Sequence, residues 1–222
     1  MFISIGQDCH PAGNLKALSL RNISLPFDWL LIPTILVFSY INDLINTQFQ
    51  NFTTDLIYNY RQKVVSKNYK FIEFFHHDLI KNITLNRPDD ENTNLVELMN
   101  KRAKKFMDII TNSDNEIVFI CMLNHKKIFI EADINKLYND MLEFDNNNNI
   151  KCKYKVLVYI LNDNQDYELV LPTNFVKLKH FIFEKYINNT KINRDYGCKN
   201  DFEIMLKNTI LYKLNIPFSI IS

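Results

Sequence analysis

Cys9 is the residue of this sequence best suited to act as a nucleophile, because of where it lies along the chain. An apolar segment before it, Phe2–Ile5, predicts a buried strand that ends at Gly6. Pro11, just after it, is typical of the first turn of a helix. A helix N-terminus stabilises a thiolate through its unpaired N–H groups and the positive end of its dipole. The position is equally compatible with a reactive thiol at a strand-to-helix turn and with an ordinary packed cysteine.

A thiolate nucleophile needs a base, and His77 is the best candidate among the five histidines. It follows the segment Tyr69–Phe75, which predicts a strand, so its ring can reach the edge of the sheet. His76 points to the opposite face of such a strand. His10 is a rival base, but neighbouring residues of a helix do not face each other. A histidine at a strand end is by itself more often a surface residue, so the choice depends on Cys9. The remaining two histidines are predicted to be surface or edge residues: His125 and His180.

A third polar group usually fixes the orientation of the imidazole, and three residues are candidates for this role. Asn124 directly follows a predicted buried strand, so we expect it at the same sheet edge as the thiol. Asp28 lies in the segment Pro26-Phe27-Asp28-Trp29. Asp78 directly follows His77. All three alternatives stay open on the sequence.

Acyl transfer also needs hydrogen-bond donors for the oxygen that becomes negative. The available donors are the backbone N–H of Cys9 and either the Gln7 side chain or a neighbouring N–H group. Gln7 and Asp8 are at least as well explained by turn formation and helix capping. Trp29, the only tryptophan, is interpreted as a core residue unless it lines a cleft.

The composition excludes several classes of partner and cofactor. Lys and Arg number 26 and Asp and Glu number 25, so a net charge of +1 provides no concentrated positive charge for a nucleic acid. Three glycines, in neither the Walker nor the dinucleotide spacing, predict no nucleotide cofactor. The four cysteines match no zinc module. Zinc ligands could come from Cys9, His10, His76 and His77, but these form consecutive pairs, a poor geometry for one ion, so no metal site is predicted. No particular oligomeric state is indicated.

The sequence predicts neither a secretory signal nor a membrane span. The most apolar window, Leu25–Ile41, is interrupted by Asp28 and two prolines. Four cysteines in 222 residues do not form a disulfide scaffold, which favours a reducing compartment. We therefore expect a cytoplasmic protein without membrane contacts. The heavy use of Asn, Ile and Lys is typical of AT-rich coding, as in some large DNA viruses, for which the expected location is the host cytoplasm or the virion.

Predicted strands and helices alternate along the chain. Continuous or alternating apolar segments predict the strands Phe2–Ile5, Tyr69–Phe75, Glu116–Leu123, Tyr154–Leu161 and Phe175–Phe183. Helical periodicity predicts a helix after Pro11 and others over Ile35–Phe49, Asn94–Ile110, Ile134–Phe144 and Asp201–Leu214, the last with Asp201 as its N-cap. The alternation predicts one α/β domain over residues 1–222, a layered domain with a mostly parallel central sheet flanked by helices.

The first third of the sequence resembles a known family. The residues that carry the resemblance are Gly6, Cys9, Ala12, Leu15, Leu20-Arg21, Ser24, Pro26-Phe27-Asp28-Trp29 and Phe75-x-His77-Asp78. Their combination is similar to the papain-like cysteine peptidases that make up a domain of unknown function in bacteria and large DNA viruses. The resemblance implies a papain-like peptidase with a thiol nucleophile at Cys9 and a base at His77. It also implies that Asp28 and Trp29, with Asp78 beside the base, shape the site.

Together these observations predict a thiol-dependent hydrolase, a cysteine peptidase or a related acyl-transfer enzyme, that acts on a peptide or another acyl substrate. The alternative is a non-catalytic module that retains the cleft and binds a peptide or a glycan. A third hypothesis is a hydrolase of carbohydrate esters in which acidic residues do the chemistry. In that enzyme Cys9 is dispensable.

Overall fold

Two four-stranded sheets form the framework of the part of the protein that the structure describes. The computed structural model describes residues 1–74, 94–124, 131–162, 172–187 and 199–209. The main sheet contains β1 (Phe2–Ser4), β6 (Ile117–Asn124), β7 (Tyr154–Asn162) and β8 (Phe181–Ile187), in that order. Every neighbouring pair in it is parallel. The α/β class and the parallel main sheet are therefore confirmed.

The second sheet is antiparallel and was not predicted. Its strands are β2 (Leu30–Leu31), β3 (Leu56–Tyr58), β4 (Val64–Ser66) and β5 (Glu73–Phe74), in the order β2-β5-β4-β3. The predicted strand Tyr69–Phe75 is shorter than expected, because hydrogen bonds from the Tyr69 N–H to Ser66 and from the Ile72 N–H to Tyr69 form turns. The strand begins only after these turns.

Five α-helices within the described ranges accompany the sheets: α1 (His10–Ala17), α2 (Val37–Asn46), α3 (Leu95–Asn112), α4 (Glu131–Asp145) and α5 (Lys199–Thr209). The Asn94 side chain caps α3 by accepting a hydrogen bond from the Glu97 N–H at 2.8 Å. Its buried face contains six apolar residues and one arginine: Leu95, Leu98, Met99, Arg102, Ala103, Phe106 and Ile110. No helix within the described ranges combines the length and apolar character needed to cross a membrane.

Alternate residues of β6 pack into two different hydrophobic clusters, because successive side chains of a strand point to opposite faces. Phe119 and Cys121 belong to a large cluster that contains aromatic residues of α2, α3 and α4. Ile120 and Met122 belong to a smaller cluster that contains Leu15 of α1 together with residues of α5. The first helix thus packs on the face of the sheet opposite to α2, α3 and α4.

The predicted starts of two elements near the C-terminus were wrong. Over Phe175–Phe183 the structure has a 3-10 turn, Thr173–Lys177, before the strand β8 begins at Phe181. The buried Asp145 carboxylate accepts hydrogen bonds from the N–H groups of Lys179 and His180, which ties the chain into a turn there. Asp201 is not an N-cap, because α5 already begins at Lys199.

Candidate active site

Cys9 is the N-cap residue of α1, at the carboxyl end of the strand β1. Its carbonyl accepts the hydrogen bond of the Gly13 N–H at 2.8 Å, the first bond of the helix. The Asp8 carboxylate accepts the N–H of His10 at 2.9 Å and so occupies one of the donors that every helix start leaves unpaired. The Cys9 side chain is partly exposed. The predicted strand-to-helix turn is present, with Pro11 in the first helical turn.

Gln7 forms hydrogen bonds that connect this turn to the main sheet and to the residue that follows β2 of the second sheet. Its side-chain oxygen accepts the Asn124 N–H at 2.8 Å, and its own carbonyl accepts the Ile32 N–H at 2.6 Å. Val118, earlier on β6, donates its N–H to the Met1 carbonyl. Parallel strands repeat this bond every two residues. In the register that pairs the Val118 N–H with Met1, the Asn124 N–H therefore lies opposite Gln7. The side-chain amide of Gln7 takes the place of its main-chain carbonyl, which has turned away to Ile32.

Gly6 passes so close to β6 that a side chain has no room there. A Cβ atom at this position lies 2.8 Å from the sulfur of Cys121 and 3.2 Å from a methyl group of Val37. Cys121 is fully buried, so its sulfur has no open space to move into. The glycine therefore sets how closely the Cys9 turn approaches the main sheet.

Gly6→Ala is expected to lower the free energy of unfolding by about 1–3 kcal/mol, because the added methyl group overpacks this contact. Urea denaturation measures the change. The matched control is Gly6→Ala in a Cys121→Ala background, where the sulfur is absent and the cost of the alanine is smaller. An equal cost in both backgrounds contradicts the role given to the Cys121 sulfur.

Asp28 lies in a 3-10 turn, Pro26–Trp29, and is 1% exposed. One of its carboxylate oxygens accepts the Leu25 N–H at 2.8 Å and lies 3.4 Å from the guanidinium of Arg21. The Arg21 side chain is itself 7% exposed, and its guanidinium carbon lies 5.8 Å from the centroid of the Trp29 ring. Asp28 and Trp29, two predicted site residues, are thus joined through Arg21. The Pro26–Trp29 turn leads directly into β2, whose neighbour Ile32 is bonded to Gln7.

The His10 ring contacts two polar side chains. Its Nδ1 atom lies 2.9 Å from the Tyr159 hydroxyl and 3.2 Å from the side-chain nitrogen of Asn14. Tyr159 and Asn14 are both buried, whereas the His10 ring is partly exposed. The sequence reasoning missed Tyr159 and Asn14. A phenol within an apolar strand was the available signal for the former, because a buried tyrosine hydroxyl needs a polar partner.

The predicted base and its neighbour, His77 and Asp78, lie outside the described residues, as do His76 and Phe75. The last described residue before them, Phe74, belongs to β5 and pairs with Leu30 of β2. Phe74 is buried in the large hydrophobic cluster. The described part of the chain contains no group of three or more histidine, cysteine or acidic side chains arranged to hold a metal ion.

The other described cysteines have a different environment. Burial raises the pKa of the Cys121 thiol, and the nearby Asp8 carboxylate raises it further. Burial also raises the pKa of Cys152. Both thiols are therefore held in the protonated, unreactive form at neutral pH. Of the three described cysteines, Cys9 is the one whose side chain is not buried.

Comparison with known proteins identifies the family. Residues 1–163 match the model of the family described as "Putative papain-like cysteine peptidase (DUF1796)". No curated protein and no solved structure matched the chain. The matched range includes the turn at Cys9 and extends through β7, well beyond the residues that carried the resemblance. The protein therefore belongs to the family described as papain-like cysteine peptidases.

Proposed function

We propose that the protein is a thiol-dependent hydrolase or acyl-transfer enzyme that uses Cys9 and His77. The Cys9 thiolate forms a bond to an acyl carbon, and the bond to the leaving group breaks. His77 takes the thiol proton and returns it to the leaving group, and water or an amine then resolves the acyl-enzyme. The family description supports peptidase chemistry at the level of the family.

The observation that carries the proposal is the position of the Cys9 side chain. The side chain is partly exposed, and Cys9 occupies the N-cap position of α1 after the carboxyl end of a parallel strand. Ligands of open α/β sheets bind at this edge, and a helix N-terminus lowers the pKa of a thiol placed on it. Cys121 and Cys152 are buried, and neither lies at the N-terminus of a described helix.

The chain connection supports His77 as the base. His77 follows Phe74, the last described residue of β5, by three positions in the chain. Phe74 pairs with Leu30 of β2, and Ile32, two residues after Leu30, donates its N–H to the Gln7 carbonyl. The strand that precedes His77 in the chain thus pairs with β2, and the residue after β2 is hydrogen-bonded to the Cys9 turn, which supports the choice of His77.

Among the three candidates for the group that orients the imidazole, Asn124 has the strongest support. Its N–H is bonded to the Gln7 side chain, two residues before Cys9. Asp28 instead has a carboxylate oxygen engaged by Leu25 and Arg21, which supports a role in shaping the site together with Trp29. We propose that Asn124 orients His77.

The proposal extends to the setting of the site. We propose a single layered domain over the whole chain, since α1 and α2–α4 pack on opposite faces of the main sheet. Its substrate is a peptide or another acyl compound, its partners include no nucleic acid or membrane, and it acts in the cytoplasm.

Alkylation with limiting iodoacetamide tests the proposed nucleophile. In a Cys198→Ser background, we expect Cys9 to react at least about 10-fold faster at neutral pH than Cys121 or Cys152, and faster than free glutathione. Peptide mass spectrometry quantifies each site. His77→Ala should move the pH dependence of Cys9 alkylation toward that of an ordinary thiol, and His76→Ala is the matched control. A Cys9 rate equal to that of glutathione contradicts the proposal and favours the non-catalytic binding module.

A further inference from the structure

Gln7, which precedes the proposed nucleophile by two positions, has a backbone conformation that is more typical of glycine. Its φ angle is 30°, in the left-handed region that a residue with a Cβ atom rarely adopts. The Asp8 N–H donates to the Gly6 carbonyl at 2.9 Å, which closes a three-residue turn centred on Gln7. Strained conformations of this kind persist only where surrounding contacts hold them, and they concentrate at functional sites. The turn before Cys9 therefore depends on the contacts of Gln7.

Two oxygen atoms of Gln7 connect the turn to two different parts of the fold. The side-chain oxygen accepts the N–H of Asn124, the last residue of β6, at 2.8 Å. A backbone N–H can only donate, so the side-chain atom that it reaches is the oxygen and not the nitrogen of the amide. The main-chain carbonyl accepts the N–H of Ile32 at 2.6 Å. Gln7 is 5% exposed, so the two hydrogen bonds are largely shielded from water.

The position of the Cys9 thiol depends on this turn because both sides of the turn are fixed. Before it, the Ile5 N–H donates to the Ile120 carbonyl of β6 at 3.0 Å. After it, the Cys9 carbonyl accepts the Gly13 N–H and begins α1. A rotation of φ at Gln7 to the usual negative range redirects the chain that follows. Cys9 then leaves its place between the carboxyl edge of the main sheet and the N-terminus of α1.

We infer that Gln7 is a positioning residue for the proposed acyl transfer, and that its side-chain oxygen, bonded to the Asn124 N–H, holds the strained turn that keeps Cys9 at the N-terminus of α1. This inference rests on the proposed function, because it concerns the placement of the same thiol. Gln7 transfers no proton and forms no bond to the substrate in this role. Its neutral amide is suited to the task, since it adds no negative charge that would disfavour a nearby thiolate.

Gln7→Gly separates positioning from strain. Glycine adopts a positive φ without cost, but it has no side chain to accept the Asn124 N–H. In the Cys198→Ser background, we expect alkylation of Cys9 by iodoacetamide to be about 10-fold slower at neutral pH, with the midpoint of its pH dependence about one unit higher, because a thiol that leaves a helix N-terminus is less ionised. The burst of p-nitrophenolate from p-nitrophenyl acetate should slow by a similar factor. A residue with only a structural role would leave the midpoint unchanged.

Gln62→Gly is the matched control. Gln62 also has a positive φ, 55°, and it lies in the exposed turn between β3 and β4. The substitution relieves the same kind of strain, but at a residue outside the turn that carries Cys9. Alkylation of Cys9 should therefore stay within about twofold of the unmodified protein. In both variants Cys121 reports on the main sheet, since it is fully buried and should remain unreactive.

The outcomes distinguish this inference from the proposed function. If Cys9 of the unmodified protein reacts rapidly and Gln7→Gly keeps both its rate and its pH midpoint, Gln7 does not position the thiol. If Gln7→Gly makes Cys121 reactive as well, the substitution has opened the sheet, and the positioning role is overturned. If Cys9 of the unmodified protein reacts no faster than glutathione, the proposed function fails, and the positioning role fails with it.

The hydrogen bond itself is tested without any variant, so the inference does not depend on the folding of Gln7→Gly. Hydrogen exchange of the full chain, followed by NMR, should show the Asn124 amide exchanging at least about 100-fold more slowly than an unstructured amide, although β6 ends at this residue. Exchange at the unstructured rate would mean that the Gln7 side chain does not hold the turn, and it would overturn the inference.

Discussion

Cys9→Ala is expected to abolish formation of an acyl-enzyme, with a loss of at least about 1,000-fold in the initial burst of product. The alanine has no atom that can bond to the acyl carbon. Because the Cys9 side chain is partly exposed and the capping contact comes from Asp8, the free energy of unfolding should change by no more than about 1 kcal/mol. The measurement is the stoichiometric release of p-nitrophenolate from p-nitrophenyl acetate.

Cys152→Ala is the matched control for this experiment. Cys152 is buried just before β7 begins, at the amino edge of the main sheet, far along the strand from the Cys9 turn. Its replacement should leave the burst unchanged. A full burst in Cys9→Ala would instead favour the hypothesis in which acidic residues hydrolyse an ester and the thiol is dispensable.

Asp28→Ala should have the largest effect on stability, a loss of about 3–5 kcal/mol, because it leaves the guanidinium of a buried arginine without its carboxylate. Asp28 and Arg21 are 1% and 7% exposed in their side chains. The same substitution removes the acceptor of the Leu25 N–H, which is also buried. Urea denaturation followed by circular dichroism measures the loss.

A double substitution and a substitution in a more exposed ion pair are the controls for the stability loss in Asp28→Ala. Arg21→Ala with Asp28→Ala should cost less than the sum of the two single substitutions, since the pair is removed together. Asp140→Ala removes a more exposed ion pair with Lys136 and should cost no more than about 1 kcal/mol. A loss for Asp28→Ala no larger than that for Asp140→Ala would contradict the structural role of the buried pair.

The long elements of the main sheet could be predicted because each has a local signal. Residues of β6 and β7 form continuous apolar segments, which are typical of strands covered on both faces. Pro11 and Gly6 mark the two sides of the turn at Cys9 in the same local way. Only β5 of the second sheet lay within a predicted strand, since strands of two or three residues are too short for a period to be recognised.

The parts of the site that could not be predicted depend on contacts between distant residues. The Gln7–Asn124 hydrogen bond joins positions 117 residues apart and exists only because β1 pairs with β6 in one register. The Asp145 carboxylate ends the 3-10 turn before β8 from 35 residues away, which overrides the alternating pattern of Phe175–Phe183. Local periodicity contains no information on either partner.

The hydrogen bond from the Asn124 N–H to the Gln7 side chain allows the opening of the Cys9 turn to be measured by hydrogen exchange at one backbone amide. The Asn124 N–H exchanges with solvent deuterium only when its hydrogen bond to the Gln7 side chain breaks. Its exchange rate therefore follows the opening of the segment that carries Cys9, in the absence of any substrate. A ligand that tightens this segment would slow the exchange of that single proton and would be detectable before its chemistry is known.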